Sequence, residues 1–163
     1  MLNRIGKKLG YKEDGFTIIE VMIVLAVAGL IMAIVLVAIP QLQRNQRDSA
    51  RQNVTNRILT ELGNYAGNNN GRYPFGPGEL TTFTNNYLAG VDYSNPGTGN
   101  NYTLSVRTDL TLPPNNDNDL MYIYPGASCN GEVAQGTINS SARTFAIIIG
   151  LERDNIRYCI DNN

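Results

Sequence analysis

The chain has 163 residues, which suits one domain of ordinary size, and 42% of them are apolar. It contains no histidine, which excludes Ser-His and Cys-His catalytic pairs and removes the commonest metal ligand. The net charge is −1: the first 15 residues are basic, and acids outnumber arginines in the remainder, so bulk attraction to nucleic acid is not indicated. No nucleophile elbow or phosphate-binding loop is present, so we expect neither enzymatic activity nor a cofactor.

The apolar residues are concentrated in one long run. Val21 to Ile39 are 19 consecutive residues without a polar side chain, which as a helix of about 1.5 Å per residue would match the roughly 30 Å hydrocarbon core of a bilayer. A secretory signal peptide is the alternative, but its apolar region is typically about 7 to 15 residues and ends at a small-residue cleavage site. Because Pro40-Gln41-Leu42-Gln43 follows here, we predict a single membrane-spanning helix that is retained.

A polar stretch with helical periodicity follows the apolar run. Between residues 41 and 66 its apolar positions form a stripe on one helical face, namely Leu42, Ala50, Val54, Ile58, Leu62 and Tyr65. We therefore predict one helix from Phe16 to Ala66, apolar all round over 16–40 and amphipathic over 41–66. Gly67-Asn68-Asn69-Asn70-Gly71 is expected to end it, because glycine and asparagine tolerate the left-handed conformation of helix ends.

The rest of the chain changes from loop to strand patterns. Residues 67–100 are rich in Pro, Gly and Asn and are predicted to be mostly loop, with one short helix near Glu79 to Leu88. Over 101–163 the period is two, and three or four antiparallel strands are predicted from the runs Tyr102–Val106, Leu120–Tyr124, Thr144–Ile149 and Ile156–Ile160. The expected fold class is α+β, with the long helix packed on a small antiparallel sheet.

Two pairs of side chains in the C-terminal part are candidate sites. Cys129 and Cys159 follow the membrane run, so an exported domain could join them by a disulfide across a loop of about 30 residues, while a reduced buried pair is the alternative. Asp117 and Asp119 offer closely spaced oxygen ligands and are a weak calcium candidate, but no complete EF-hand spacing surrounds them. A solvated turn is the simpler interpretation of that acidic pair.

Glu20 is the most informative residue, since it lies about one turn into the apolar helix. A carboxylate in a membrane helix costs about 2.5 to 3.5 kcal/mol at the bilayer centre on insertion scales. If Glu20 lies near the headgroups it needs no special role. Cleavage after Gly15 would instead make Phe16 a new N-terminus, whose amine lies four residues before Glu20 on the same helical face.

The residues around Gly15 resemble the type IV pilin family, in which a prepilin peptidase cuts a Gly-Phe bond and methylates the new amine. The resemblance rests on Gly15, Phe16, Thr17 and Glu20, and Met22, Ile23, Val24, Ala26 and Gly29 also fit the family's helix pattern. It implies a cleaved leader over 1–15, N-methylation of Phe16, and a type IV pilin fold. It also implies that Glu20 pairs with the Phe16 amine of a neighbouring subunit.

The resemblance further implies a function and a set of partners. The expected product is a structural subunit that polymerises with itself into an extracellular type IV pilus for motility, adhesion or DNA uptake. Membrane lipid, prepilin peptidase, an assembly platform and minor pilins would be its partners; the leader would be cytoplasmic and the C-terminal domain outside. Gly29 and Pro40 mark where the helix would kink or melt in the filament. A type II secretion pseudopilin is the alternative, and an anchored enzyme that keeps its leader is a more distant one.

Overall fold

The computed structural model describes residues 15–113, 119–139, 141–153 and 156–163. Two compact units are present, Met1–Pro40 and Gln41–Asn163. Helix α1, Ile18–Asn68, contributes residues to both units. The described part of the first unit consists of the beginning of this helix and the three residues before it.

Helix α1 begins two residues later and ends two residues later than the sequence predicted. Thr17 precedes the first turn as the N-cap, since its hydroxyl accepts the Glu20 N–H and its own N–H donates to Glu20, and the helix therefore begins at Ile18 rather than at Phe16. At the other end Asn70 and Gly71 adopt φ of 56° and 78°. The Gly71 N–H donates to the Ala66 carbonyl at 2.8 Å, the bond of a Schellman cap. The predicted Asn-Gly stop signal is therefore confirmed.

Within its described residues, the folded unit contains one more helix and six strands. Helix α2 is Pro77–Tyr87. The strands are β1 Thr103–Val106, β2 Leu120–Pro125, β3 Ala127–Asn130, β4 Val133–Gly136, β5 Phe145–Gly150 and β6 Arg157–Asp161. The sheet order is β1-β2-β5-β6, and β3 and β4 form a separate two-stranded hairpin. The α+β fold with a long N-terminal helix and a small sheet is confirmed.

One strand pairing differs from the antiparallel expectation. β2–β5 and β5–β6 are antiparallel, but β1 runs parallel to β2, with Thr103 opposite Leu120 and Val106 opposite Ile123. A strand alternates apolar and polar residues in the same way whether it pairs in parallel or antiparallel, so the sequence pattern could not distinguish a parallel from an antiparallel β1. The connection between β1 and β2 is long enough for the crossover that parallel strands need.

The hairpin β3–β4 was missed by the sequence reading. Its strands contain few β-branched or aromatic residues, which are the residues that usually mark strands. The available signal was the loop, where Gly131 occupies the first position of a two-residue connection with φ of 65°. Gly126, just before β3, also has a positive φ of 84°.

Strand β5 is buried along its whole length because both faces of the sheet are covered. Alternate residues Phe145, Ile147 and Ile149 join the larger core with α1 and α2. Ala146 and Ile148 face a second, smaller core that includes Ala127 and Ala134 of the hairpin. A strand covered on both faces should be a continuous apolar run, as this one is.

The amphipathic half of α1 supplies the helical side of the larger core. Ile58 and Leu62 are fully buried there, and Val54 and Tyr65 are 3% and 6% exposed. Burial of each such side chain contributes about 1.5–3 kcal/mol. The predicted stripe is thus confirmed from Val54 onward, whereas Leu42 is 58% exposed and is not part of the core.

Candidate functional site

The start of α1 brings Thr17 and Glu20 into direct contact. Oε2 of Glu20 accepts hydrogen bonds from the Thr17 backbone N–H at 2.9 Å and from the Thr17 hydroxyl at 2.7 Å. The Glu20 N–H in turn donates to the Thr17 hydroxyl oxygen at 3.4 Å. This reciprocal arrangement is a capping box, which satisfies donors that the first helical turn leaves without partners. Glu20 therefore has a partner within its own chain.

Phe16 lies immediately before this capping box and is 89% exposed. Gly15 has no heavy atom within 4 Å of the position that a Cβ would occupy. The Gly15–Phe16 bond is thus not enclosed by the described part of the chain.

The apolar run after Glu20 is exposed on all sides. Large apolar side chains from Ile18 to Ile39 are between 42% and 82% exposed. Within the described residues, α1 contains one segment long and apolar enough to cross a membrane. An apolar surface of this size and length needs lipid or other apolar helices around it, because soluble monomers rarely expose a continuous patch larger than a few hundred Å².

Helix α1 continues through the two positions expected to weaken it. Pro40 lies inside the helix, although proline cannot donate the backbone hydrogen bond that its position requires. Gly29 has open space around it. Kinking or melting at Gly29 and Pro40 in a filament stays a prediction.

Residues 11–36 match the model of the prokaryotic N-terminal methylation motif. The chain carries a prepilin-type methylation motif. This motif is the cleavage and methylation site of type IV pilins. Its presence supports the assignment of the chain to the type IV pilin or pseudopilin group. The motif implies processing by prepilin peptidase, and it is found in a group whose members are structural rather than enzymatic. No curated protein and no solved structure matches the chain.

The predicted disulfide joins Cys129 to Cys159, with 5.8 Å between their Cα atoms. It connects β3 of the hairpin to β6 at the edge of the main sheet. The Cys129 backbone N–H also donates to the Asp161 carboxylate on β6 at 2.6 Å. The hairpin is thereby held over the second core by a covalent bond and a charged hydrogen bond.

The weak calcium candidate is only half described, because Asp117 lies outside the described residues. Oδ1 of Asp119 accepts hydrogen bonds from Thr98 at 2.6 Å and from Asn95 at 2.7 Å, and Oδ2 accepts one from Asn100 at 3.3 Å. These bonds hold the pKa of Asp119 below its usual value. Asp119 thus holds residues 95–100, the loop before β1, by hydrogen bonds. The sequence did not suggest this role.

A partly buried group of charges joins α1 to the turn after β5, and we call Arg47, Asp48, Arg51 and Glu152 the charged clamp. Arg47 donates to both carboxylate oxygens of Glu152 through Nε at 2.9 Å and to Oε2 through Nη2 at 2.7 Å, and Arg51 Nη2 donates to Oε1 at 2.7 Å. Asp48 accepts the backbone N–H groups of Glu152 and Arg153 at 2.7 and 3.3 Å. The Arg51 and Asp48 residues are 0% and 3% exposed.

Gly97 closes over the charged clamp. A Cβ at this position would lie 2.8 Å from Oε1 of Glu152 and 3.0 Å from Nη2 of Arg51. Only glycine allows so close an approach of the backbone to both charged groups. The loop that Asp119 fastens therefore also covers the clamp.

Proposed function

We propose that the chain is the precursor of a structural pilin. Prepilin peptidase would cut it between Gly15 and Phe16, and the mature chain would then polymerise into an extracellular type IV pilus. One observation carries the proposal. The methylation motif over residues 11–36 includes most of an exposed apolar helical segment, and the one carboxylate of that segment is Glu20. Lipid would cover that segment before assembly, and the same segment of other subunits would cover it afterwards.

Cleavage would change the chemistry of Phe16. In the uncut chain the nitrogen of Phe16 is an amide without charge. Hydrolysis of the Gly15–Phe16 bond would convert it into an amine, which methylation leaves basic and protonated. A charged amine is the partner that a carboxylate in an apolar environment requires, since an unpaired buried charge is strongly destabilising.

Glu20 would then exchange partners during assembly. In the single chain it is held by Thr17, through one backbone and one hydroxyl donor. In the filament it would accept the methylated amine of Phe16 from a neighbouring subunit. Such a pair forms only when two subunits are docked in one register, so it would select the correct register as the polymer grows.

The folded unit Gln41–Asn163 would lie outside the membrane and, after assembly, on the outside of the filament. The disulfide supports this placement, because disulfides persist in oxidising compartments. An assembly platform and minor pilins would be the remaining partners. The leader over residues 1–15 would stay on the cytoplasmic side until it is removed.

A pseudopilin of a type II secretion system is the second candidate, because the methylation motif supports both groups. A pseudopilin would share the processing of Phe16 and the role of Glu20, but it would form a short filament that moves folded substrates. Calcium binding that depends on Asp117 and Asp119 would favour this candidate.

Mass spectrometry of filaments sheared from the cell surface tests the proposal. We expect the chain to be the bulk component, with N-methylated Phe16 as its first residue and with two hydrogens fewer at Cys129 and Cys159. A mature surface protein that still begins at Met1 would refute processing. A processed chain that is absent from sheared filaments, but present in the cell envelope, would favour the pseudopilin.

A further inference from the structure

A polar cleft of about 620 Å³ lies at the C-terminal end of α1. It belongs entirely to the folded unit and falls in the size range of small-molecule sites, about 300–1,000 Å³. Its walls are formed by Tyr65 and Asn68 of the helix, by residues 69–73, which follow it, by Glu79 of α2 and by the segment before β5. The side chains that matter for binding are Asn68, Asn69, Asn70, Arg72, Ser141 and Arg143.

The end of the helix does not need the arginines of this cleft. The Gly71 N–H caps the Ala66 carbonyl at 2.8 Å, and the Asn69 side-chain amide donates to the Tyr65 carbonyl at 2.8 Å. Carbonyl groups at a helix C-terminus often attract cationic side chains. Here main-chain and amide donors already fill that role.

The guanidinium groups of Arg72 and Arg143 are both exposed. Among the described residues, neither forms an ion pair, whereas Arg47, Arg51 and Arg107 each bind a carboxylate. Glu79 also lines the cleft, but its carboxylate accepts the backbone N–H groups of Phe75 and Gly76 at 2.8 and 3.2 Å. These bonds cap α2 and lower the pKa of the Glu79 carboxylate, and the positive charge of Arg72 lowers that pKa further.

Beside Tyr65, Gly71 and Tyr73, the rest of the lining consists of asparagine amides and one serine hydroxyl. A side-chain amide offers two donor hydrogens and one acceptor oxygen, so Asn68 and Asn69 keep binding capacity beyond the single bond that each donates in the fold. Ser141 adds a hydroxyl. Alternating donors and acceptors match the hydroxyl groups of a sugar, and a guanidinium matches a carboxylate through two parallel hydrogen bonds.

We propose that this cleft binds a short acidic saccharide, a uronic-acid oligomer, with its carboxylate held by Arg72 and Arg143 and its hydroxyl groups by the asparagine amides. The site is separate from the methylation motif, and binding does not require a filament. A folded unit carried on a surface polymer would place such a site against extracellular polysaccharide.

Calorimetric titration of the full chain in detergent tests the site, with a trimer of galacturonic acid as the probe. We expect R143Q and R72Q each to weaken binding about tenfold, the effect of losing one charged hydrogen-bonding group. R143K keeps the charge but loses the two-point contact, so it should fall between R143Q and the wild type. R57Q is the matched control, because Arg57 is an exposed arginine of α1 outside the cleft, and it should bind like the wild type.

Two further ligands separate the components of the proposal. The neutral trimer of galactose should bind at least about tenfold more weakly than the acidic trimer, and inorganic phosphate should not compete at equal concentration. Equal binding of the neutral trimer, equal binding of phosphate, no binding of the acidic trimer, or an unchanged R143Q would each overturn the proposal. Because the purified subunit is used, these outcomes do not depend on whether the chain forms a pilus.

Discussion

The charged clamp should be a main determinant of the stability of the folded unit, and Glu152→Gln tests this. The substitution keeps the size of the side chain but removes the charge that Arg47 and Arg51 share. Arg51 has a fully buried side chain, and that of Glu152 is 16% exposed. Removal of one partner from a buried ion pair costs about 3–5 kcal/mol. Because Glu152 keeps some contact with water, we expect the lower end, about 3 kcal/mol.

Urea unfolding of the full chain in detergent, followed by tyrosine fluorescence, measures this loss. The chain has nine tyrosines and no tryptophan, so the tyrosine signal is not masked. With a denaturant slope of about 2 kcal/mol/M, the midpoint should fall by about 1.5 M urea. Asp109→Asn is the matched control, since it removes a carboxylate from an exposed arginine pair in which Asp109 is 55% exposed. It should barely change the midpoint.

The pH dependence gives an independent check on the same pair. Hydrogen bonds from Arg47 hold the pKa of Glu152 below its ordinary value of 4.5. A carboxyl group with a lowered folded pKa stabilises the fold above its unfolded pKa, and that contribution is lost as the pH falls through the folded value. The midpoint difference between the wild type and Glu152→Gln should therefore shrink below pH 4.5. If Glu152→Gln lowers the midpoint no more than Asp109→Asn at neutral pH, the reasoning is refuted.

Three further predictions concern other parts of the chain. Glu20→Ala should leave membrane insertion intact but reduce the yield of sheared filaments, and a wild-type yield would contradict the assembly role. Replacing Cys129 and Cys159 together by serine should lower the free energy of unfolding by about 3–4 kcal/mol, because the disulfide closes a separation of 30 residues; an unchanged urea midpoint under oxidising conditions would count against it. Tyr102→Phe should be neutral or slightly stabilising in thermal unfolding, because the buried Tyr102 hydroxyl has no hydrogen-bond partner among the described residues and burial raises its pKa to about 12; a marked loss of stability would reveal a partner.

Much of the fold could be predicted because its signals are local. The apolar run, the stripe from Val54 to Tyr65 and the stop at Asn70-Gly71 each depend on residues close in sequence. The capping box at Thr17 and Glu20 was also readable in principle, since Thr-x-x-Glu before an apolar run is its usual form. The sequence prediction considered Glu20 only as an assembly residue and not as part of a cap. It therefore placed the start of the helix at Phe16 instead of Ile18.

The charged clamp was missed because the stripe was chosen by apolar residues alone. In the structure the buried face of α1 continues from Ile58 back through Thr55, Arg51 and Asp48, with helical spacings of three and four. Charged residues at these positions look like a solvated face when their partner is unknown. Glu152, about 100 residues away, makes their burial possible, and no local pattern indicates it.

The position of the charged clamp along α1 has a practical consequence. Residues 41–46 are all exposed, and Arg47 is the first residue of the helix that the folded unit fastens. These six residues separate the exposed apolar segment from the first hydrogen-bonded contact of the clamp. A chain shortened to begin at Gln41 would keep the clamp, both cores and the disulfide, while it would lose the exposed apolar surface. Exported behind an added signal peptide, such a fragment should be a water-soluble monomer suited to crystallisation, whereas a cut after Arg51 would remove the helical side of the clamp.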